Sequence, residues 1–502
     1  MDRYISTRGE AGPVSAAEAI LKGIAPDGGL FVPSHLPRVD YMPLLNREYG
    51  ERAGAILPTF LGRPGKEQEA QICSWIDAAY SPARFDSRAV VPLKKLERDL
   101  YLLELWHGPT GAFKDIALQL LPYLLTGAVK QEENRGTAPT MAILVATSGD
   151  TGKAALEGFC NVPGTRIIVF YPEQGVSEIQ KRQMVTQQGT NVAVVGVRGN
   201  FDDAQTGVKK IFTDQSTIEV LSRRGYRFSS ANSINWGRLA PQIVYYFSAY
   251  LDLIRREEIK EGEKINFVVP TGNFGNILAG FYAGRAGLPV NRLICASNTN
   301  HVLTDFIQSG TYDRNRPFLR TISPSMDILI SSNLERLLFE VSGRQSNRVK
   351  QWMEQLAAEG RYHVNRTTFE QIAALFWSGY STEQETMEAI SQVYHRYRYV
   401  IDPHTAVAVT VHRKYRQATG DPTKTVILST ASPFKFNASV ARALLGEKAA
   451  TNRSEFELLA TLSDHTGWKI PAGLSGLEEK PVRHTTVIDK TEMKKTVLNL
   501  LQ

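Results

Sequence analysis

Lys114 is a residue whose side chain could do covalent chemistry, and it lies in a turn that runs into an apolar helical stretch. Its ε-amine could form an imine with a carbonyl cofactor and, after release, act as a base near a substrate carbon. Most lysines instead keep the ammonium group at the surface, because burying that charge is costly unless the pKa falls or the amine becomes covalently bound. A covalent role for Lys114 therefore requires a cofactor site nearby.

A glycine-rich loop offers a site for a phosphate group. It follows an apolar strand at residues 265–270 and precedes a second apolar stretch, so the order is strand, turn and helix. Backbone N–H groups at a helix N-terminus carry roughly half a positive charge and bind phosphate well. The alternative is that the glycines only turn the chain, as an isolated Gly-x-x-Gly often does. The residues of the predicted phosphate loop are Gly272, Asn273, Phe274, Gly275 and Asn276.

A second polar turn, residues 147–153, also follows a strand and opens a helix. It brings hydroxyl groups, backbone donors and the ammonium of Lys153 to the carboxyl end of that strand, which suits a second anion. A P-loop is excluded, because Thr147 stands where its first glycine should be and Ala154 follows the lysine. Ser, Thr and Asp also cap helices well, so capping is the alternative. Two anion sites are more informative than either one alone.

A third polar turn follows the apolar strand at residues 425–429. The strand ends in hydroxyl residues, Ser429, Thr430 and Ser432. A hydroxyl at this position could meet a ring nitrogen, whereas an ordinary Ser/Thr turn before a helix is the alternative.

The elements that must position these turns alternate between short apolar strands and helical patterns, which indicates βαβ units. Strands buried on both faces form mostly parallel sheets with helices on either side, and their ligands lie at the carboxyl ends of the strands. Residues 331–400 switch to helical periodicity, which predicts a helical insertion. The strands are predicted at residues 142–146, 166–170, 191–195, 265–269, 292–296 and 425–429.

The composition is that of a globular α/β protein and restricts the partners. The 58 Lys and Arg against 51 Asp and Glu give a net charge of +7 without the basic runs typical of a nucleic-acid surface. No apolar run approaches the ~20 residues of a membrane helix. Three scattered cysteines favour neither a disulfide framework nor a zinc site. We expect a cytoplasmic protein that binds no metal, nucleic acid or membrane.

These motifs together resemble threonine synthase, a family of fold type II enzymes that depend on pyridoxal 5′-phosphate (PLP). The resemblance extends over roughly residues 4–440 and includes a histidine motif at residues 402–405. It implies two parallel-sheet βα domains with a small N-terminal α+β unit. It also implies that Lys114 carries PLP as a Schiff base, that residues 272–276 hold the cofactor phosphate, and that Thr430 faces the pyridine nitrogen. The motifs are those at residues 4–9, 25–33, 107–115, 147–153, 232–242, 272–276, 402–405 and 429–436.

The activity that this resemblance implies is the conversion of O-phospho-L-homoserine and water to L-threonine and phosphate. A phospho-lyase on the same scaffold would release 2-oxobutyrate instead, and a catalytically silent ligand-binding homologue is the alternative from another class. The oligomeric state stays open. The substrate is expected to contact Ser148, Asp150, Thr151, Lys153, Asn235 and Arg238.

The predicted domain boundaries follow from the same reading of the chain. Residues 1–85 form the N-terminal unit, and residues 86–135 and 233–450 form the large PLP-binding domain. Residues 136–232 form the small βα domain, and the polar residues 451–502 are a separate C-terminal segment.

Overall fold

The computed structural model describes residues 3–502 with the exception of 63–64, 134–138, 148 and 175. It confirms the predicted α/β class with mostly parallel sheets. The strands are β1 (Tyr4–Ser6), β2 (Phe31–Pro33), β3 (Leu93–Glu97), β4 (Leu100–Glu104), β5 (Thr140–Ala146), β6 (Thr165–Pro172), β7 (Val192–Arg198), β8 (Tyr226–Ser229), β9 (Ile265–Pro270), β10 (Val290–Ser297), β11 (Thr311–Asp313), β12 (Arg361–His363), β13 (Phe376–Tyr380), β14 (Thr425–Ser429) and β15 (Val487–Asp489).

Helices cover both faces of the sheets and fill the region between β10 and β14. They are α1 (Ala16–Lys22), α2 (Tyr49–Phe60), α3 (Lys66–Ala79), α4 (Lys114–Leu118), α5 (Leu121–Glu133), α6 (Asp150–Phe159), α7 (Glu178–Val185), α8 (Phe201–Thr213), α9 (Gln215–Arg223), α10 (Trp236–Arg255), α11 (Gly275–Arg285), α12 (Val302–Ser309), α13 (Leu334–Val341), α14 (Ser346–Glu359), α15 (Arg366–Leu375), α16 (Glu383–Tyr397), α17 (Pro403–Thr419), α18 (Asn437–Leu445), α19 (Glu447–Ala450), α20 (Glu455–Thr466) and α21 (Met493–Leu500). Among the helices described, none is both long and apolar enough to cross a membrane.

The large sheet determines where the site lies. Among the described residues its strand order is β13, β10, β9, β14, β4 and β3, and only β3 runs antiparallel to its neighbour. Every residue of β4, β9 and β14 is buried, which explains their continuous apolar sequences. Because these three strands are adjacent and parallel, their carboxyl ends bring Lys114, residues 272–276 and Thr430 to one edge of the sheet.

The small sheet has the order β15, β7, β6, β5 and β8 in the described part of the chain, and all its pairs are parallel. Its last strand comes from the C-terminal tail, where Val487 pairs with Gly196 and Asp489 pairs with Arg198. Residues 487–501 of the C-terminal segment therefore complete the small domain, whereas α20 packs against α18 of the large domain. The tail residues that join the buried apolar core of the small domain are Ile488, Met493, Val497 and Leu501, and the spacing of four between the last three is helical.

The helical insertion is only partly as predicted. Residues 331–400 contain α13 to α16, but β13 lies within them and forms the edge of the large sheet beside β10. This strand follows α15 directly, without a turn signal, and its sequence contains Ser378 and Gly379. The pairing with β10 overrides the helical pattern, because it supplies backbone hydrogen bonds that the local sequence does not encode.

The N-terminal unit begins with β1 and continues into α1. Ser15 caps α1 in a capping box with Glu18. The unit packs against α10, where Tyr4 meets Trp236 edge-on and Arg52 pairs with Asp252 at 2.9 Å. Residues 1–85 therefore share a continuous core with the large domain.

Candidate active site

A cavity of about 1350 Å³ lies where the carboxyl ends of the two sheets face each other. Side chains of the large sheet, the small sheet and the long helix α10 all line it. Most of the predicted site residues are brought together there, namely Lys114, Asp150, Thr151, Arg238, Gly272, Asn273, Phe274, Gly275, Asn276 and Thr430.

Lys114 is the first residue of α4, and the preceding loop holds it in place. Asp115 accepts hydrogen bonds from the backbone N–H and the hydroxyl of Thr110, at 2.8 and 2.7 Å. Gly108 permits this arrangement, because a Cβ at that position would lie 2.5 Å from the Cβ of Asp115. The side chain of Lys114 is 11% exposed and donates from Nζ to Asp150 and to Ser325, both at 3.1 Å.

Burial and the neighbouring charges make the neutral amine of Lys114 more accessible than that of an exposed lysine. Burial lowers the pKa of Lys114 below its ordinary value, and the nearby cations Lys435 and Arg238 lower it further, while Asp150 partly opposes them. A neutral amine is the form that attacks a carbonyl and accepts a proton. The environment therefore suits the covalent role predicted from the sequence.

Asp150, the first residue of α6, connects the cations of the cavity. Its Oδ1 contacts the ammonium of Lys435 at 3.0 Å and the amide of Gln180 at 2.8 Å. Its Oδ2 accepts from Lys114 and, at 2.8 Å, from Ser325. Burial alone would raise the pKa of Asp150, but the charges of Lys114 and Lys435 lower it well below the ordinary value. Asp150 is therefore a carboxylate that lies between the side-chain nitrogens of Lys114 and Lys435.

The loop at residues 272–276 has the shape of an anion cup. Phe274 adopts a left-handed conformation with φ 63° and precedes α11, whose first turn leaves backbone N–H groups without acceptors inside the helix. The carboxamide oxygen of Asn276 accepts from Tyr245 and Tyr246 at 2.6 and 3.0 Å. Its buried Nδ2 has no hydrogen-bond partner among the described residues.

Arg238 provides a second cationic position in the cavity. Its Nη1 donates to the carbonyl of Ala231 at 2.5 Å, and its buried Nε has no partner within the part of the chain described. Burial lowers the pKa of Arg238 to about 10, so that the guanidinium still carries its charge at neutral pH. A buried guanidinium group with an unused donor is suited to bind an anion, and Arg238 is therefore a candidate anion site.

Two predicted substrate residues, Lys153 and Asn235, do not line the cavity. Lys153 does not line the cavity: its ammonium binds Glu157 at 2.8 Å, one turn along the same helix, and also Gln187. Asn235 is a helix cap, whose oxygen accepts from Gly237 and whose amide donates to the carbonyls of Ile20 and Ser230, all at 2.9 Å. Its hydrogen-bonding groups are thus already used inside the fold. Ser148 lies outside the described residues.

Comparison with known proteins agrees with this geometry. A model of the pyridoxal-phosphate dependent enzyme family matches residues 87–378. Models of the threonine synthase N terminus and of the threonine synthase C-terminal region match residues 3–80 and 405–497. The chain belongs to the threonine synthase family. Its cofactor is pyridoxal 5′-phosphate.

Named relatives and solved structures of the family cover nearly the whole chain. Threonine synthase of Pseudomonas aeruginosa is 39% identical over 89% of this chain and 92% of its own length. Human threonine synthase-like 1 is also 39% identical over 89% of this chain, which spans only 60% of that protein. The PLP-bound threonine synthase of Brucella melitensis is 36% identical and superposes with a TM-score of 0.87 over 100% of both chains. The yeast threonine synthase is 33% identical, with a TM-score of 0.86 over 99% of this chain and 98% of that chain.

The residues present fit the PLP of the family. Asn276 offers an unused buried amide in the cup, which is what a phosphate oxygen would accept from. Gly272 lets the loop approach the backbone at Ser325 closely, because a Cβ there would lie 2.7 Å from the carbonyl oxygen of Ser325. Thr430 follows β14 on the same edge, and its carbonyl accepts from the N–H of Phe113, next to Lys114, at 2.9 Å.

We expect the variant Gly272→Ala to lose PLP affinity by roughly tenfold or more. The added methyl group would push the backbone at Ser325 away from the loop and distort the cup. Gly284→Ala, in α11, is the matched control, because a Cβ there makes an ordinary contact of 3.6 Å with Val290 and the residue does not line the cavity. Titration of each apoprotein with PLP, followed by absorbance, measures the effect. Equal affinities for the two variants would show that close approach at Gly272 does not matter for the cofactor.

Three residues that line the cavity were not predicted from the sequence. Lys435 follows Thr430 by five positions in a stretch where only the hydroxyl groups were considered. His404 donates from Nδ1 to Asp402 at 2.8 Å, and its Nε2 accepts from the backbone N–H of Ser325 at 3.2 Å. The motif at residues 402–405 was a signal for His404, whereas Ser325 had no signal in its local sequence.

Proposed function

We propose that this chain converts O-phospho-L-homoserine and water to L-threonine and inorganic phosphate. The observation that carries the proposal is the second cationic position: Arg238, buried and with an unused donor, lines the same cavity as Lys114 and the cup at residues 272–276. The substrate and the cofactor each bear a phosphate, so that the reaction requires two anion sites in one cavity. The named threonine synthases among the relatives support the same conclusion.

Lys114 holds the cofactor covalently and acts as a base. PLP, when bound there, supplies an electron sink for the charge left at the substrate Cα. Once released, the amine of Lys114 takes the Cα proton, for which its lowered pKa suits it. Ser325 and Asp150 lie 3.1 Å from that nitrogen and orient it. Thr430, at the end of β14, is the residue that we assign to the pyridine nitrogen.

The substrate phosphate is assigned to Arg238 and Thr151, with Ser148 as a further ligand from the sequence. Negative charge builds up on the phosphate as it leaves Cγ. The hydrogen bond from Arg238 therefore stabilises the departing phosphate more than it stabilises the bound substrate. Lys153 and Asn235 are omitted, because their polar groups are used by Glu157, Gln187 and the cap of α10. A Cβ proton is lost as the phosphate departs from Cγ; water then adds its hydroxyl group at Cβ, and protons return to Cγ and Cα.

We expect Arg238→Gln to lower kcat/KM for O-phospho-L-homoserine by roughly 100-fold, the effect of losing one preorganised donor to a developing charge. Lys153→Ala is the comparison, since it removes a lysine of the same motif that does not line the cavity, and its kcat/KM should stay within a fewfold of wild type. Phosphate release under steady-state conditions measures both. If kcat/KM fell further in Lys153→Ala than in Arg238→Gln, Lys153 rather than Arg238 would be the main cationic ligand of the substrate phosphate.

Product analysis separates the proposal from its closest rival. A phospho-lyase on this scaffold would release phosphate together with 2-oxobutyrate and ammonia, whereas a synthase retains the amino group. Incubation of the PLP-loaded protein with O-phospho-L-homoserine should give threonine and phosphate in equal amounts. Accumulation of 2-oxobutyrate would support the lyase, and a PLP-loaded protein without turnover would support the silent homologue.

A further inference from the structure

A second cavity, of about 350 Å³, lies in the large domain and is called here the distal cavity. Among the described residues it shares no lining residue with the cavity around Lys114. Its walls are the β3–β4 turn, the last turns of α16 and the middle of α17. The lining residues are Leu96, Glu97, Arg98, Asp99, Leu100, Val393, Arg396, Tyr397, Val409, His412, Arg413 and Arg416.

The distal cavity is built from two helix faces. On α17 the lining positions 409, 412, 413 and 416 follow the spacing i, i+3, i+4 and i+7, which places them on one face of the helix. On α16 the positions 393, 396 and 397 follow the same rule. Helical periodicity therefore concentrates the basic residues of both helices at one site.

The charge of the lining is unbalanced. Four arginines face Glu97 and Asp99. Arg396 pairs with Glu97 at 3.1 Å, but Arg413 donates to the side-chain oxygen of Gln392 at 2.6 Å and Arg416 donates to a backbone carbonyl. In the part of the chain that the structure describes, Arg98, Arg413 and Arg416 form no ion pair.

His412 forms a polar point on the wall of the distal cavity. The residue is 8% exposed, and its buried Nε2 has no hydrogen-bond partner among the described residues. Burial lowers the pKa of His412 to about 4, with further contributions from Arg416 and Arg413. The imidazole is therefore neutral at neutral pH and can present an N–H at Nε2. Such a buried unsatisfied group in a native fold calls for a partner.

We propose that the distal cavity binds a small ligand through a phosphate group. An oxyanion would accept from the unpaired guanidinium groups of Arg413 and Arg416 and from Nε2 of His412. A cation would be repelled by the arginines, and an apolar guest would leave Nε2 of His412 without a partner. The volume is near the lower end of the roughly 300–1,000 Å³ of small-molecule sites, so that the ligand is phosphate itself or a small phosphate ester.

Calorimetric titration of the PLP-loaded protein with inorganic phosphate tests the proposal. The wild type should bind phosphate at the distal cavity in addition to the cavity around Lys114. Arg413→Gln combined with Arg416→Gln should weaken one site by at least about tenfold, because two charge-assisted hydrogen bonds are lost. Arg223→Gln combined with Arg366→Gln is the control: it removes the same charge from side chains that are 81% and 92% exposed.

The control double variant should bind phosphate as the wild type does. If phosphate binding weakened equally in both double variants, the loss would be due to the lower net charge, and the proposal would be overturned. An unchanged isotherm in Arg413→Gln/Arg416→Gln would overturn it as well. His412→Leu changes no charge at neutral pH, so a loss of roughly fivefold or more there isolates the directed hydrogen bond. An unchanged PLP spectrum in every variant verifies that the fold and the cofactor site are intact.

Direct location and a second ligand complete the test. Crystals of the PLP-loaded protein soaked in tungstate should show anomalous density within hydrogen-bonding distance of Nε2 of His412, and density confined to the Lys114 cavity would contradict the proposal. Tighter binding of glycerol 3-phosphate than of inorganic phosphate would identify a phosphate ester as the ligand. The reverse order would identify free phosphate.

Discussion

Lys114→Ala should abolish covalent attachment of PLP and lower turnover by at least about 10³-fold. The variant removes both the amine that holds the cofactor and the base that takes the Cα proton, and acid–base catalysis by one positioned group alone is worth roughly 10²- to 10⁴-fold. Borohydride reduction followed by peptide mapping measures attachment, and phosphate release measures turnover. The wild type should carry the pyridoxyl group at Lys114.

Lys435 provides the decisive comparison for this variant. Its ammonium lies 3.0 Å from Oδ1 of Asp150, as Lys114 lies 3.1 Å from Oδ2, so that two lysines compete for the role. The side chain of Lys435 is fully buried and donates to the carbonyl of Thr110 at 2.9 Å, whereas Lys114 is 11% exposed. Lys435→Ala should therefore keep the pyridoxyl label at Lys114. If the pyridoxyl label survived in Lys114→Ala and disappeared in Lys435→Ala, Lys435 rather than Lys114 would be the lysine that carries the cofactor.

Asp150→Asn should lower both the stability and the activity of the protein. The change leaves the buried ammonium of Lys435 without a carboxylate, and breaking a buried ion pair by removing one partner typically costs about 3–5 kcal/mol of the free energy of unfolding. We also expect kcat to fall by roughly 100-fold, because Lys114 loses the carboxylate that orients it. Urea unfolding of the apoprotein and steady-state kinetics of the holoenzyme measure the two effects.

Asp252→Asn separates stability from activity. Asp252 pairs with the buried Arg52 at 2.9 Å, far along α10 from the cavity residue Arg238, and does not line the cavity. This variant should lose a comparable free energy of unfolding, while its folded fraction keeps the kcat of the wild type. If Asp150→Asn retained full kcat once corrected for the folded fraction, Asp150 would be a structural residue only.

Much of the fold was predictable because parallel strands buried on both faces leave continuous apolar runs. The strand predicted at residues 425–429 coincides with β14, and the one predicted at residues 265–269 differs from β9 by a single residue. Two of the strands that were not predicted, β13 and β15, have weak local signals. β13 contains Gly379 within a region of helical periodicity, and β15 has only three residues in a polar tail. Their positions depend on the edges of the two sheets, to which they add.

The sequence by itself determined the parts of the site that are local. The loop at residues 272–276 and Thr430 each follow a strand directly, and Lys114 opens a helix after a turn. Such successions of strand, turn and helix are encoded by neighbouring side chains. The family could also be recognised from these motifs, because all of them are found together in this one chain. The tertiary structure was not needed to identify PLP as the cofactor.

Only the tertiary structure decided which cations face the cavity. Lys153 and Lys435 are both lysines in polar turns, yet Glu157 binds the first outside the cavity, while the second approaches Asp150 across 285 positions of sequence. Ser325 and His404 join the site in the same way, through contacts between segments far apart in the chain. The order of the strands brings these segments together, and that order is set by the packing of the whole core, which no local pattern of residues specifies.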